Sequence, residues 1–165
     1  METTMTAPNT TTATVISAES LLAHWLGHRN VTRKVIDAFP EKELFTHTIG
    51  GMRPFAELTK EMLGMASPIA RGVATGKWEA FPTITANTKQ ELLDLWDEET
   101  EKLKAFWAQI PLERFGIVDV AFGQYENVNI NTIFYGIDNE IHHRGQGYVY
   151  LRSLGITPPF FWDRD

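Results

Sequence analysis

The 165-residue chain contains no cysteine. Disulfides, thiolate metal sites and a protein thiol nucleophile are therefore excluded, and the composition fits a reducing, cytoplasmic setting. A basic surplus is also missing. Fifteen Lys and Arg stand against 21 Asp and Glu, for a net charge of −6, and no basic stripe runs along the chain. Bulk electrostatics thus argue against nucleic acid and against an anionic membrane surface as partners. No apolar run approaches the roughly 20 residues needed to span a bilayer. There is no nucleophile elbow, no Gly-rich phosphate loop and no zincin motif, and Gly145-Gln146-Gly147 lacks the preceding strand that a nucleotide loop needs. Residues 1–14 are Thr-rich, without a basic start or an apolar centre. They read as a disordered tail rather than a signal peptide.

What remains is enough for one domain, residues 15–165, with a sizeable core. Five Trp and ten Phe supply its large pieces. Four stretches carry helical spacing. The first runs from Ser17, an N-cap type, to Phe39 before Pro40, with Leu21, Trp25, Thr32, Val35 and Ile36 on one stripe. The second opens near Pro54 and reaches Val73, with Ser67-Pro68 set to kink or shorten it. The third begins at the capping-box pattern Thr88-Lys89-Gln90-Glu91 and ends at Pro111. The fourth runs from Asn129 to Leu154, with Gly155 as its C-terminal stop. The 111–128 connection is long and holds a β-prone stretch, 116–123, suited to a short strand or an extended crossover. The expected fold is all-α, a four-helix bundle with one long crossover connection. Phe160-Phe161-Trp162 is expected to dock on it.

The chemistry concentrates in Asn139-Glu140-Ile141-His142-His143-Arg144-Gly145-Gln146. Asn139 and His143 are four apart and share a helix face, so the two can hold one ion if another helix supplies a further ligand. On the fourth helix an apolar stripe comprises Ile130, Ile133, Phe134, Ile137, Ile141, Tyr148 and Leu151. Nearly opposite lie Tyr135, Asn139, His143, Gln146 and Tyr150, without Lys, Asp or Glu. Such a stripe is a solvated face, a polar cavity or a subunit interface; neutral hydrogen-bonding residues among tyrosines suit the last two better. His24 and His28, also four apart, lie near the first helix's apolar stripe. They are a rival ligand pair or core-edge histidines bonded to a buried partner. Glu61 flanks the second helix's apolar stripe, where a buried carboxylate needs a partner.

These pieces together resemble the DinB-like (YfiT/DinB) family of four-helix bundles. The matching residues are Leu21-Leu22-Ala23-His24-Trp25, Gly51-Met52-Arg53-Pro54-Phe55-Ala56-Glu57-Leu58, the 139–146 run, and Tyr148-Val149-Tyr150-Leu151-Arg152-Ser153-Leu154-Gly155 with its Pro-Pro follow-on. The resemblance covers nearly the whole chain after the tail. It implies a divalent metal, held in the family by one histidine from the second helix and two from the last. Carried over, those positions fall on Glu61, Asn139 and His143, of which only His143 keeps the usual residue. Such an oxygen-rich set suits Zn, Ni, Fe or Mn. His24, His28 and His142 become pocket or supporting candidates. The implied activity is metal-dependent transfer, thiol transferase-like with a thiol cosubstrate, or hydrolysis of a small molecule. The alternative is a metal-free bundle that binds a small ligand or serves as an interaction module. A homodimer is expected in either case.

Overall fold

A computed structural model describes residues 15–165, so the expected Thr-rich tail lies outside the described residues. Six helices and a small hairpin follow in order: α1 (Ala18–Ala38), α2 (Glu41–Thr46), α3 (Phe55–Leu63), α4 (Ala66–Thr75), α5 (Lys89–Trp107), β1 (Val118–Ala121), β2 (Tyr125–Val128) and α6 (Asn129–Ser153). The ends follow local chemistry. Ser17 caps α1 by accepting the Ser20 amide at 3.0 Å, and Phe39 turns extended ahead of Pro40. Thr88 and Glu91 close the capping box of α5 in both directions. After α6, Gly155 adopts φ 76°, and the amides of Gly155 and Ile156 return to the carbonyls of Arg152 and Leu151 at 3.0 and 2.9 Å. This is the double return bond that a left-handed glycine permits.

The second expected helix is two helices. The break falls at Gly64-Met65, ahead of Ser67-Pro68. The Pro68 ring excludes the carbonyl four residues earlier, which is that of Gly64. The chain turns there and restarts with Pro68 in the first turn of α4, where a missing N–H costs nothing. Helix α2 was not expected; it fills what read as connection. The β-prone stretch does form a strand, paired antiparallel with β2 from Val118↔Val128 to Ala121↔Tyr125.

α1 packs on α5 and α6, and the α3–α4 pair packs on the same two. α5 and α6 thus stand at opposite corners, and the long crossover carrying the hairpin runs between them. The all-α bundle with one long crossover is the observed architecture, with the two-stranded ribbon as its only sheet among the described residues. Trp25, Trp96, Phe39 and Phe55 are fully buried, the last two stacked at 4.9 Å. No described helix is long and apolar enough to cross a membrane.

The C-terminal segment corrects an expectation. Phe160, Phe161 and Trp162 are 62, 58 and 64% exposed. They pack on one another. The segment docks instead through its polar end. The Arg164 carbonyl accepts from Asn30 at 3.0 Å, and Asp163 meets Lys34 at 3.0 Å. Arg164 lies where a Cβ on Gly27 would come within 3.2 Å of it, so the missing side chain makes room for the docked tail.

Candidate functional site

α6 carries two polar clusters one residue out of step. The first joins Asn139 and His143 to Glu61 of α3. Asn139 Nδ2 donates to Glu61 Oε1 at 3.0 Å, His143 Nε2 lies 2.9 Å from the same oxygen, and Arg53 donates to Oε2 at 2.6 Å. The structure therefore brings Glu61, Asn139 and His143 together and adds Arg53, which the site reading had not included. Burial pushes the Glu61 carboxyl up, but the hydrogen bonds from Asn139, His143 and Arg53 outweigh it and hold the pKa at about 2. Glu61 is thus a fixed negative charge at any physiological pH.

Because a carboxylate only accepts, both orientations are set. The Asn139 amide nitrogen faces Glu61, and His143 Nε2 carries a proton. Two buried atoms then lack partners: Asn139 Oδ1 and His143 Nδ1, an acceptor in the neutral ring.

Beside Glu61 opens a cavity of about 720 Å³. Its floor is Met65 and Ile69, and its outer wall is Phe81, Phe122 and Tyr125. Phe122 stacks on Phe81 at 3.9 Å and meets Trp78 edge-on at 5.5 Å. Phe122 sits at φ 54° in the hairpin turn, a left-handed conformation costly for a bulky residue. Its ring is nonetheless buried, which pins the hairpin over the 78–81 segment. No signal in the sequence marked this wall, because it depends on how the crossover folds back.

The second cluster uses Glu140 and Arg144. Glu140 is 2% exposed and pairs with the fully buried Arg29 at 3.2 Å. Trp25 Nε1 donates to it at 3.3 Å, and Thr32 Oγ1 lies 3.0 Å away. Arg29 also donates to Thr100 and to the Trp96 carbonyl. Arg144 donates to the His28 carbonyl at 2.9 Å and faces His28 Nδ1 at 3.0 Å. Burial pushes Glu140 up, while Arg29 and Thr32 draw it back. Burial, with Arg144 and Arg164 adding to it, lowers His28 from 6.5 to about 4.

His24 and His28 belong to this second cluster and have no hydrogen bond with Glu61, Asn139 or His143. Arg144 only donates, so His28 Nδ1 is the accepting nitrogen and Nε2 holds the proton directed at His24 Nε2, 3.2 Å away. In this arrangement His28 is bonded to the buried Arg144. His142 points outward and bonds Gln146 at 3.0 Å. The fourth-helix stripe is also not one surface. His143 and Tyr150 are buried, with Tyr150 donating to the Arg53 carbonyl at 2.9 Å, while Tyr135 is 60% exposed. The stripe's Asn139 and His143 face Glu61 of α3. Phe134, placed on the apolar stripe, is 40% exposed; Glu140 and Arg144 occupy the inward face instead. Glu140 was visible in principle, since 133, 137, 140, 144 and 151 share one helical phase.

The fold is an all-α bundle whose polar cluster joins α3 to α6. The chain belongs to the DinB family, whose model matches residues 5–163. It is similar to the uncharacterized protein YjoA of Bacillus subtilis (strain 168), 26% identical over 151 residues that cover 89% of this chain and 97% of that protein. The crystal structure of that DinB-like protein superposes with a TM-score of 0.69 at 25% identity, covering 86% of this chain and 96% of the other. A DinB-like protein from Bacillus cereus ATCC 10987 shares the fold with the same TM-score at 20% identity, covering 86% and 95%.

The donor set fits a resident divalent ion poorly. Among the described residues no three of His, Cys, Asp and Glu gather to hold a metal. Binding through His143 Nε2 would move its proton to Nδ1, which is buried with no acceptor, whereas metal-bound histidines ordinarily have one. Asn139 would have to turn its oxygen inward, and Arg53 already occupies Glu61.

Proposed function

We propose that this DinB-family protein binds a small, largely apolar molecule whose polar end is read by Glu61. The observation that carries the reading is the ionised Glu61 carboxylate, held by three donors at the edge of a cavity of about 720 Å³ with apolar and aromatic walls. That volume lies in the range of ligand sites, roughly 300–1,000 Å³. The walls supply apolar burial, and Glu61 supplies orientation. Because Glu61 is fixed by α3, α6 and Arg53 together, a ligand meets a preorganised acceptor instead of ordering one. Saturation-transfer NMR with 2-phenylethanol should show transfer from the protein, weakened in Gln substitutions of Glu61. An absence of transfer for ligands of this size overturns the reading.

A second reading has its own support: two ligand-type side chains, Asn139 and His143, lie within 3.0 Å of one oxygen of a third, Glu61. In it Glu61, Asn139 and His143 hold a divalent ion, and the chemistry is metal-assisted transfer or hydrolysis, with any thiol arriving on a cosubstrate. It requires the proton shift and amide turn described above. Elemental analysis of protein purified without a His-tag or nickel resin decides it. Stoichiometric metal that disappears in His143→Ala establishes this reading.

A further inference from the structure

We propose that the cavity selects an organic cation, a small amine or ammonium on an apolar body, with Glu61 as its counter-ion and Arg53 as the group it displaces. This rests on the reading of the cavity as a ligand site. Three observations carry it.

The first is the sign of the wall. The charged residues lining the cavity are Glu61 and Glu126, and among the described residues no Lys, Arg or His lines it. A carboxylate ligand would enter against two like charges on the wall, and the nearby cation, Arg53, is already bonded to Glu61, whereas an ammonium meets opposite charges on the wall itself. The second is the aromatic content. Phe81, Tyr125 and Tyr135 are 41, 57 and 60% exposed along the cavity, which leaves ring faces open. A cation near such faces is attracted by their quadrupoles, and an apolar body packs on them equally well. The third is the remaining acceptor capacity of Glu61. Asn139 and His143 both bond Oε1, and Oε2 has Arg53 alone. An ammonium brings donors to that oxygen and a carboxylate does not.

Arg53 supplies the exchange. Its side chain is 53% exposed, and its partner oxygen on Glu61 is the one that Asn139 and His143 leave free. A guanidinium on a flexible, half-exposed stem is held weakly. An incoming ammonium can take its place on Oε2 while Asn139 and His143 keep Oε1 fixed. Arg53 is thus the cation that an incoming ammonium replaces.

The test compares three ligands of one shape: phenethylamine, 2-phenylethanol and 3-phenylpropionate. Dissociation constants are measured by saturation-transfer NMR and calorimetry on the full chain at pH 7. The amine should bind on the order of tenfold or more tightly than the alcohol, and the acid weakest. Glu61→Gln should bring the amine down to the level of the alcohol. Arg53→Ala should tighten amine binding, because the competitor is gone, and circular dichroism reports whether each variant is folded. Equal affinity for amine and alcohol overturns cation selection while leaving the ligand-site reading in place. Preference for the acid, lost in Arg53→Ala, overturns it in favour of an anion site. No binding of any of the three overturns the ligand-site reading as well.

Discussion

Asn139 and His143 on one side of α6, and Glu140 and Arg144 on the other, are separated by a single residue step and about 100° of helix rotation. Their fates differ completely. Glu140 and Arg144 enter a sealed core, where every oxygen of the carboxylate has a donor and both arginines reach carbonyls. Asn139 and His143 face a carboxylate that is a third exposed, beside a cavity, with two of their own polar atoms unpaired. A satisfied buried network holds helices in register and has nothing left for a ligand. An incompletely satisfied one next to open space is where binding belongs. Polar residues on a buried helix therefore signal function only when their hydrogen bonds are counted.

The comparison breaks most visibly at Glu140. Removing it leaves Arg29 buried and unpaired, so Glu140→Ala should cost about 3–5 kcal/mol. Urea denaturation measures this, and a loss below about 1 kcal/mol would show that the network does not hold the bundle together.

His28 gives the next largest effect, through pH. Its pKa falls from 6.5 to about 4 on folding. Between those values the unfolded chain binds more protons, so stability is full above pH 6.5 and declines as pH drops to about 4, by up to about 3 kcal/mol. His28→Gln should flatten the melting temperature across that window. Glu61 acts in a lower one: its stabilising contribution is present above pH 4.5 and is lost as pH falls toward about 2. A single transition shared by both windows would mean that the clusters are not independent.

The two faces of α6 can also be told apart at glycines. A Cβ on Gly147 would lie 2.5 Å from the buried Phe55 ring, whereas one on Gly145 meets nothing within 4 Å. Gly147→Ala should destabilise by about 1–3 kcal/mol. Gly145→Ala should stabilise by up to about 1 kcal/mol. Thermal melts of the pair check the helix orientation on which both clusters depend.

The smallest effect is expected at the open cluster. Glu61→Ala should change stability by no more than about 1 kcal/mol, since its Arg53 partner is half-exposed. Ligand binding should suffer instead. A stability loss equal to that of Glu140→Ala would make the open cluster a structural one.

Much of the fold was legible because its signals are local. Ser17, Thr88 with Glu91, Pro40 and Gly155 each act on backbone within a few residues, and the helix ends they imply are where the chain turns. The Asn139–His143 spacing is equally local. Its link to Glu61 came only through family resemblance, since no spacing in sequence connects α3 to α6. Burial was not legible where charge masks it: Glu140, Arg144 and Arg29 lie in apolar phase but look like surface residues until their partners, up to 116 residues away, are in place. Exposure was misread where apolarity masks it, as at Phe160 to Trp162.

The sequence by itself determined that this is an all-α bundle, where its long helices cap and stop, and that α6 carries adjacent sets of polar side chains. Those properties arise from hydrogen bonds and sterics within a few residues. Only the tertiary structure decided which set is sealed, that Arg53 closes on Glu61, and that the hairpin turns Phe122 inward to wall a cavity. Each of these is a contact between chain segments far apart in sequence, and its energy depends on burial and geometry that exist only once the helices have packed.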